Sequence, residues 1–152
     1  MNIEYLPRNQ DIIHTLAKWH YAQWGYLNPG DSVETRIADF NAQLGSKGIP
    51  ITFIALSEAT LLGSASLVAH DMDTRPDLSP WLASVYVAPE YRNRGVGSAL
   101  VRRAMEEARD RGVGRLYLFT PNKEAFYTHL GWSTVERTDY KGEPVVIMAY
   151  TF

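Results

Sequence analysis

The most informative stretch of this sequence is Arg92-Asn93-Arg94-Gly95-Val96-Gly97-Ser98. It joins an apolar run that predicts a strand over residues 81–87 to a periodic pattern that predicts a helix over residues 96–111. Glycine lets a backbone pass close to a ligand, and the first N–H groups of a helix have no internal partner. Because the helix dipole favours negative charge at that end and two arginines add charged donors, residues 92–98 predict a cradle for phosphate oxygens, here called the anion cradle.

Length and composition indicate one globular domain, which we expect to cover residues 1–152. Of the 152 residues, 45% are hydrophobic and 12% aromatic, which suffices for a sizeable core. A net charge of -2 provides no broad basic field, so we expect no nucleic-acid partner. The lack of cysteine excludes disulfides, thiolate metal sites and a cysteine nucleophile. Charges at Glu4, Arg8 and Asp11 argue against a signal peptide or membrane span there, so we expect a cytoplasmic protein without a membrane partner.

Hydrophobic periodicity and turn residues predict the element order β-α-α-β-β-β-α-β-α-β-β. Asn122, which follows Pro121, is predicted to cap the last helix, and Lys141-Gly142 is predicted to form the final turn. This order indicates a mixed sheet in an α/β (α+β) protein. The predicted strands are residues 2–6, 51–57, 61–70, 81–87, 116–119, 132–137 and 145–150, and the predicted helices are residues 10–24, 33–44, 96–111 and a segment after Pro121.

Three phosphate-binding motifs compete at the anion cradle. A P-loop needs a lysine and then Ser or Thr after its second glycine, whereas Gly97 is followed by Ser98-Ala99. A dinucleotide fingerprint needs a third small residue where Leu100 stands, and it normally follows the first strand. What remains is Arg92-x-x-Gly95-x-Gly97 after a strand, and this motif resembles the acyl-CoA binding motif of the GNAT superfamily of N-acetyltransferases.

A second segment extends the resemblance to that family. Residues 122–132, which read Asn122-Lys123-Glu124-Ala125-Phe126-Tyr127-Thr128-His129-Leu130-Gly131-Trp132, are similar to its closing helix and strand. Distinctive residues cover roughly positions 63–132, while the N-terminal helices match only in type and order. The resemblance implies a mixed, mostly antiparallel central sheet flanked by helices, with acetyl-CoA as co-substrate.

The resemblance also implies roles for single residues at the cofactor. The backbone N–H groups of residues 92–98 would hold the pyrophosphate, and a backbone N–H near Val87 would polarise the acyl carbonyl. Tyr127 resembles the general acid of the family, and Asn122 is expected at the cofactor with it. The strand end expected to pair with the pantetheine arm consists of Val85, Tyr86 and Val87.

The sequence does not determine which residue accepts the proton of the acceptor amine. Many relatives have an acidic residue where Ser84 stands, and a hydroxyl cannot accept a proton as a carboxylate does. We expect Ser84 to orient a water that carries the proton away. The preferred interpretation of three loop carboxylates is that they are solvated charges, and the alternative is that they attract a cationic amine: Asp71, Asp73 and Asp77. The His70-Asp71-x-Asp73 run is not expected to hold a metal.

The expected function is acetyl transfer from acetyl-CoA to a primary amine of a small molecule or peptide. Direct attack by the amine is expected, because no cysteine is present to form an acyl-enzyme. The alternative is a non-catalytic acyl-CoA-binding sensor, which would use the anion cradle but would not need Tyr127. The acceptor and the oligomeric state are not determined, although a homodimer is allowed. Four aromatic residues are expected mostly in the core, with an acceptor-pocket lining as the alternative: Trp19, Tyr21, Trp24 and Tyr26.

Overall fold

The computed structural model describes residues 1–152 and has the element order expected from the sequence. Helices lie on both faces of a seven-stranded sheet. The strands are β1 Asn2–Tyr5, β2 Ile51–Ser57, β3 Thr60–Val68, β4 Trp81–Val87, β5 Arg115–Thr120, β6 Ser133–Tyr140 and β7 Glu143–Thr151. The helices are α1 Gln10–Trp24, α2 Val33–Gln43, α3 Val96–Asp110 and α4 Glu124–His129, with short 3-10 turns at Gly25–Leu27 and Pro89–Tyr91.

The sheet is mixed and mostly antiparallel, as predicted. Its strand order is β1-β2-β3-β4-β5-β7-β6, and only β4 and β5 run parallel. These two strands pair at one position, Trp81 with Tyr117, and then diverge. The backbone of β4 beyond Trp81 therefore has no neighbouring strand on its β5 side, which opens a cleft in the middle of the sheet.

Two layers of helix cover the two faces of the sheet. On the face that carries α3, Leu100 and Ala104 pack against alternate residues of the central strands such as Phe53 and Leu82. On the other face, called the α1/α2 face, Leu16 and its neighbours pack on Ile54 of β2. The next residue of β2, Ala55, belongs to the core on the α3 face. This alternation follows from the two-residue period of a strand.

Local signals account for most of the element ends. Asn9 caps α1, with its side chain accepting from the N–H groups of Asp11 and Ile12 at 3.0 and 3.2 Å. Lys141 and Gly142 form the two-residue turn between β6 and β7, with positive φ angles of 49° and 83° that suit a hairpin of type I′. The final hairpin is longer than predicted, because its exposed polar residues pair along the whole of β6.

The predicted cap at Asn122 is wrong. Helix α4 begins at Glu124 and its N-cap is Lys123, which makes no side-chain capping bond. Instead, the hydroxyl of Thr120 at the end of β5 accepts the N–H of Lys123 at 3.0 Å. The buried Thr120 thus holds the residue that precedes α4, while the first turn of the helix has no side-chain cap. No helix in the chain is long and apolar enough to cross a membrane.

Candidate active site

The candidate site lies where β4 leaves β5. Trp81, Leu82 and Ala83 are buried, whereas each of residues 84–87 is partly exposed. The change occurs three residues after Trp81, the residue of β4 that pairs with β5. Ser84, Val85, Tyr86 and Val87, the strand residues predicted for the site, therefore line the cleft together.

A β-bulge marks the start of this exposed half of β4. Ser64 of β3 pairs with Tyr86 and Ser66 pairs with Ala83, so two residues, Ser84 and Val85, oppose one. Ser84 has a φ of 53°, a left-handed conformation that is uncommon for residues other than glycine. Bulges change the direction in which backbone and side chains point, and they occur often beside functional sites. The bulge therefore sets the orientation of the β4 groups that line the cleft.

A glycine of β3 allows the end of β4 to lie close to its neighbour. Gly63 pairs with Val87, and a Cβ atom at position 63 would lie only 2.3 Å from the carbonyl oxygen of Tyr86. Any side chain there would push the two strands apart. The position of the Val87 backbone in the cleft thus depends on Gly63, a residue to which the sequence assigned no role.

Most of the anion cradle has the unpaired donors that its sequence predicted, although the backbone N–H of Arg92 donates to the carbonyl of Pro89 at 3.4 Å. Residues 94–98 donate no backbone hydrogen bond within the chain, and the first donor of α3 is Ala99, bonded to the carbonyl of Gly95 at 3.1 Å. Asn93 and Gly95 have φ angles of 62° and 83°, which turn the chain sharply into the helix. The result is a row of free N–H groups at the positive end of a 15-residue helix, next to the end of β4.

The two arginines of the anion cradle differ in their surroundings. The Nε of Arg92 donates to the carbonyl of Val87 at 2.7 Å, and its guanidinium lies 5.6 Å from the centre of the Tyr86 ring. Arg92 thus fixes the cradle to the end of β4 through one donor and leaves its terminal nitrogens available. Arg94 is exposed and makes no hydrogen bond or ion pair with the chain, so its whole guanidinium is available to an anion.

Helix α4 reaches the cradle through Phe126. The ring of Phe126 and a methyl of Val87 would lie 3.6 and 3.7 Å from a Cβ at Gly97, so α4, β4 and the start of α3 meet at one point. Tyr127 packs edge-on against Phe126 at 5.0 Å. Tyr127 was expected at the edge of the apolar face of the helix, but it is 7% exposed and belongs to the core under α3.

Burial determines the protonation state of Tyr127. Desolvation raises the pKa of its hydroxyl well above the usual value, and no hydrogen bond or charge opposes that shift. The phenol is therefore protonated at physiological pH. Asn122 is exposed, and its place at a cofactor remains a prediction from the resemblance.

The aromatic residues at the end of α1 lie mainly outside the core, contrary to expectation. Trp19 and Trp24 are half-buried and pack against Tyr86 at 5.4 and 6.1 Å, while Tyr21 and Tyr26 are 41% and 70% exposed. The buried positions of α1 belong instead to smaller residues and to His20. A large indole ring can contact β4 from a half-buried position. Helical spacing alone therefore does not distinguish buried from half-buried aromatic residues.

His20 is a buried polar residue behind the cleft strand. Its Nε2 lies 2.9 Å from the hydroxyl of Ser64, and its ring packs near Tyr86. Burial, with a smaller contribution from the charge of Arg36, lowers the pKa of His20 to about 3. The imidazole is therefore neutral at physiological pH and supports the position of Tyr86.

Three loops meet on the α1/α2 face of the sheet, beside the cleft. From the segment after α1, Tyr26 donates to Glu143 at 2.6 Å and Asn28 accepts from Lys141 at 2.5 Å. From the loop before β4, the N–H of Asp73 contacts the hydroxyl of Tyr140 at 3.4 Å. The β6–β7 turn is thus held from both sides.

Comparison with known proteins agrees with this architecture. Residues 13–132 match the Acetyltransferase (GNAT) family. Mouse N-alpha-acetyltransferase 80 is 34% identical over 110 residues, which are 70% of this chain and 33% of that protein. The chain spans about a third of the length of the curated relatives that it matches.

Solved structures with the same fold include proteins that hold coenzyme A. An aminoglycoside 6'-N-acetyltransferase complexed with coenzyme A superimposes with a TM-score of 0.76 at 17% identity, over 99% of this chain and 97% of that one. An acetyltransferase from Salmonella typhimurium with its cofactor acetyl-CoA gives a TM-score of 0.73 at 16% identity, over 99% and 94%. At these low sequence identities, the two comparisons show only that the fold is shared. The fold, the anion cradle and the family match together lead to one assignment: the chain belongs to the GNAT family of acetyltransferases.

Proposed function

We propose that this protein transfers an acetyl group from acetyl-CoA to a primary amine, acting as a single domain. The observation that carries the proposal is the row of free N–H groups of residues 94–98 beside the unpaired half of β4. The first can hold a pyrophosphate, and the second can pair with an amide-bearing arm as a neighbouring strand would. These are the two recognition elements that an acyl-CoA offers.

The cradle residues would divide the binding work. The N–H groups of residues 94–98 and the guanidinium of Arg94 would bind phosphate oxygens, while Arg92 would join this region to the end of β4. Val85, Tyr86 and Val87 would present backbone groups to the pantetheine arm. The bulge at Ser84 would end that pairing and so determine where the thioester stops.

Acetyl-CoA supplies a thioester, and its transfer forms the C–N bond of an amide while the C–S bond breaks and a thiolate departs. A backbone N–H near Val87 would donate to the carbonyl oxygen as negative charge develops on it. Tyr127 would donate its proton to the departing sulfur. Because burial raises the pKa of this phenol, donation is favourable only to a thiolate that is itself kept from water.

The amine must lose a proton before or during attack. An alkyl ammonium group has a pKa of about 10.4 and is almost fully protonated at neutral pH. We propose that the hydroxyl of Ser84, which is partly exposed at the cleft, orients a water that carries this proton to solvent. The rate should therefore rise with pH toward the alkaline side.

The test is release of free CoA from acetyl-CoA in a panel of amines, followed by analysis of Tyr127→Phe. This substitution removes only the hydroxyl, so CoA affinity by calorimetry should hardly change while turnover falls by about 10²-fold. Tyr150→Phe is a matched control, since Tyr150 also packs on Trp132 but lies outside the proposed machinery. CoA binding without release in any amine would favour a non-catalytic acyl-CoA sensor.

A further inference from the structure

The loop between β3 and β4 holds a carboxylate that no group in the chain satisfies. Asp71 follows β3 and precedes Met72, which is buried against Trp81 and Ile147 on the α1/α2 face. The side chain of Asp71 is only partly exposed, and it takes part in no hydrogen bond or ion pair. Asp77 of the same loop differs from Asp71, because it is exposed and forms an ion pair with Arg75 at 3.0 Å.

The surroundings of Asp71 favour a cation. Burial raises the pKa of its carboxyl to about 6, and the charge of Lys141 opposes this shift without cancelling it. The amino group of Lys141 is engaged by Asn28 at 2.5 Å and forms no ion pair with Asp71. The carboxyl group remains reachable from solvent, so a charged nitrogen of a ligand can replace water there and donate a charge-assisted hydrogen bond.

The loop that carries Asp71 is fixed in place. Met72 anchors it to the sheet, the N–H of Asp73 meets Tyr140, and Arg75 forms an ion pair with Glu136 of β6. A ligand that binds Asp71 therefore need not order the loop first, which reduces the entropic cost of binding.

The position of Asp71 relative to the cleft suggests what it binds. Met72 beside it contacts Trp81, at the closed end of β4, whereas the exposed half of the strand begins at Ser84. Three residues of extended strand span roughly 10 Å. A group at Asp71 thus lies about that far from Ser84, the residue proposed to orient the water that takes the proton of the amine.

On the basis of the proposed function, we propose that Asp71 binds a second cationic group of the acceptor. The preferred acceptors are then amines that carry another positive charge at the far end of a flexible chain, such as long diamines. Asp71 contacts the substrate and determines specificity, but it takes no part in proton transfer, which stays with the water at Ser84.

The experiment compares two acceptors of equal length, hexamethylenediamine and hexylamine. For the parent protein, kcat/KM should be at least about tenfold higher for the diamine, which is the effect expected of one charge-assisted hydrogen bond. Two amino groups alone would give only a roughly twofold statistical advantage. Asp71→Asn should reduce this preference to the statistical factor, through a larger loss of kcat/KM for the diamine than for hexylamine. Asp73→Asn removes the same charge from an exposed position of the same loop and should leave the preference within about twofold of the parent.

Several results would overturn the proposal. These are a parent that does not prefer the diamine, an equal loss for both amines in Asp71→Asn, or an equal effect of Asp73→Asn. If Asp71→Asn does not fold, the parent decides through pH: its preference should fall to the statistical factor as pH drops through about 6, where Asp71 gains a proton.

Binding separates this proposal from the proposed function. Calorimetry of both amines with CoA-saturated protein measures the Asp71 contact without turnover. If no amine is acetylated but the diamine binds at least tenfold more tightly in an Asp71-dependent manner, the acetyltransferase proposal fails and the cation site stands. If acetylation occurs without this difference, the cation site fails alone.

Discussion

Gly63→Ala tests whether the close approach of β3 and β4 positions the cleft strand. A Cβ at residue 63 would lie 2.3 Å from the carbonyl oxygen of Tyr86, 3.1 Å from Cα of Val87 and 3.3 Å from a methyl of Leu100. A carbon and a carbonyl oxygen in contact are normally about 3.3 Å apart. The end of β4 must therefore move by about 1 Å, and two of the three obstacles are backbone atoms.

The cost can be worked out from this displacement. Overpacking a well-packed site costs about 1–3 kcal/mol, and weakening the adjacent hydrogen bond, in which the N–H of Ala88 donates to the carbonyl of Leu62 at 2.9 Å, adds about 1 kcal/mol. In a domain of this size each kcal/mol lowers Tm by about 2–4 °C, so we expect a decrease of roughly 5–15 °C. Displacement of the Val87 backbone should also weaken CoA binding by about tenfold, the value of one hydrogen bond.

Scanning calorimetry and titration with CoA measure both effects. Gly97→Ala is the matched control, because its Cβ would make ordinary contacts at 3.6 Å with Phe126 and 3.7 Å with Val87. Its Tm should equal or slightly exceed that of the parent, since alanine favours a helix over glycine by about 1 kcal/mol. If Gly63→Ala melts within 2 °C of the parent, as judged against the roughly 2–4 °C expected per kcal/mol, and binds CoA normally, the reasoning is refuted.

Gly97→Val places a branched side chain among the free N–H groups of α3, so CoA affinity by calorimetry should fall by at least about tenfold, and an unchanged affinity would locate the cofactor elsewhere. Ser84→Gly relieves a positive φ, so stability should stay level or rise by about 1 kcal/mol, whereas turnover should fall several-fold because the water loses its hydroxyl; unchanged turnover would remove Ser84 from the mechanism. Glu107→Gln should lose about 1–3 kcal/mol near neutral pH by urea unfolding, since Tyr5, Arg103 and Arg111 all bond this carboxylate. Burial raises the pKa of Glu107, but those bonds outweigh it and hold the pKa below 4.5, so this stability is present above about pH 4.5 and is lost as pH falls through the folded-state value. Because the loss begins below the unfolded-state pKa of about 4.3, a difference between parent and Glu107→Gln that is as large at about pH 3 as near neutral pH would contradict this account.

The elements that carry the fold could be read from the sequence because their signals are local. The alternation of β4, the stripe of α3 and the turn at Lys141-Gly142 depend on residues within a few positions of one another. The unpaired N–H groups of the anion cradle follow from the same local rule, since any helix start leaves such groups free. The family resemblance rested on these segments, and the match over residues 13–132 agrees with it.

Contacts between distant segments could not be read in the same way. Gly63 and Tyr86 meet because two strands pair, and Arg92 bonds the carbonyl of Val87 because α3 folds back on β4. Tyr127 is buried rather than at a rim because Phe126 takes the position over Gly97. Each of these contacts depends on which distant segment of the chain packs against the residue. The residues adjacent to it in the sequence do not determine that segment.

Local patterns were sufficient to predict the element order and the free N–H groups of the anion cradle, since these depend on periodicity and glycine placement, and the type of chemistry followed from the family resemblance. Only the tertiary structure decided where β4 separates from β5, that Ser84 sits in a bulge, and that Asp71 lacks a partner. The physical reason is that strand pairing, burial and charge compensation are properties of pairs of residues far apart in the chain. Such pairs exist only once the chain has folded.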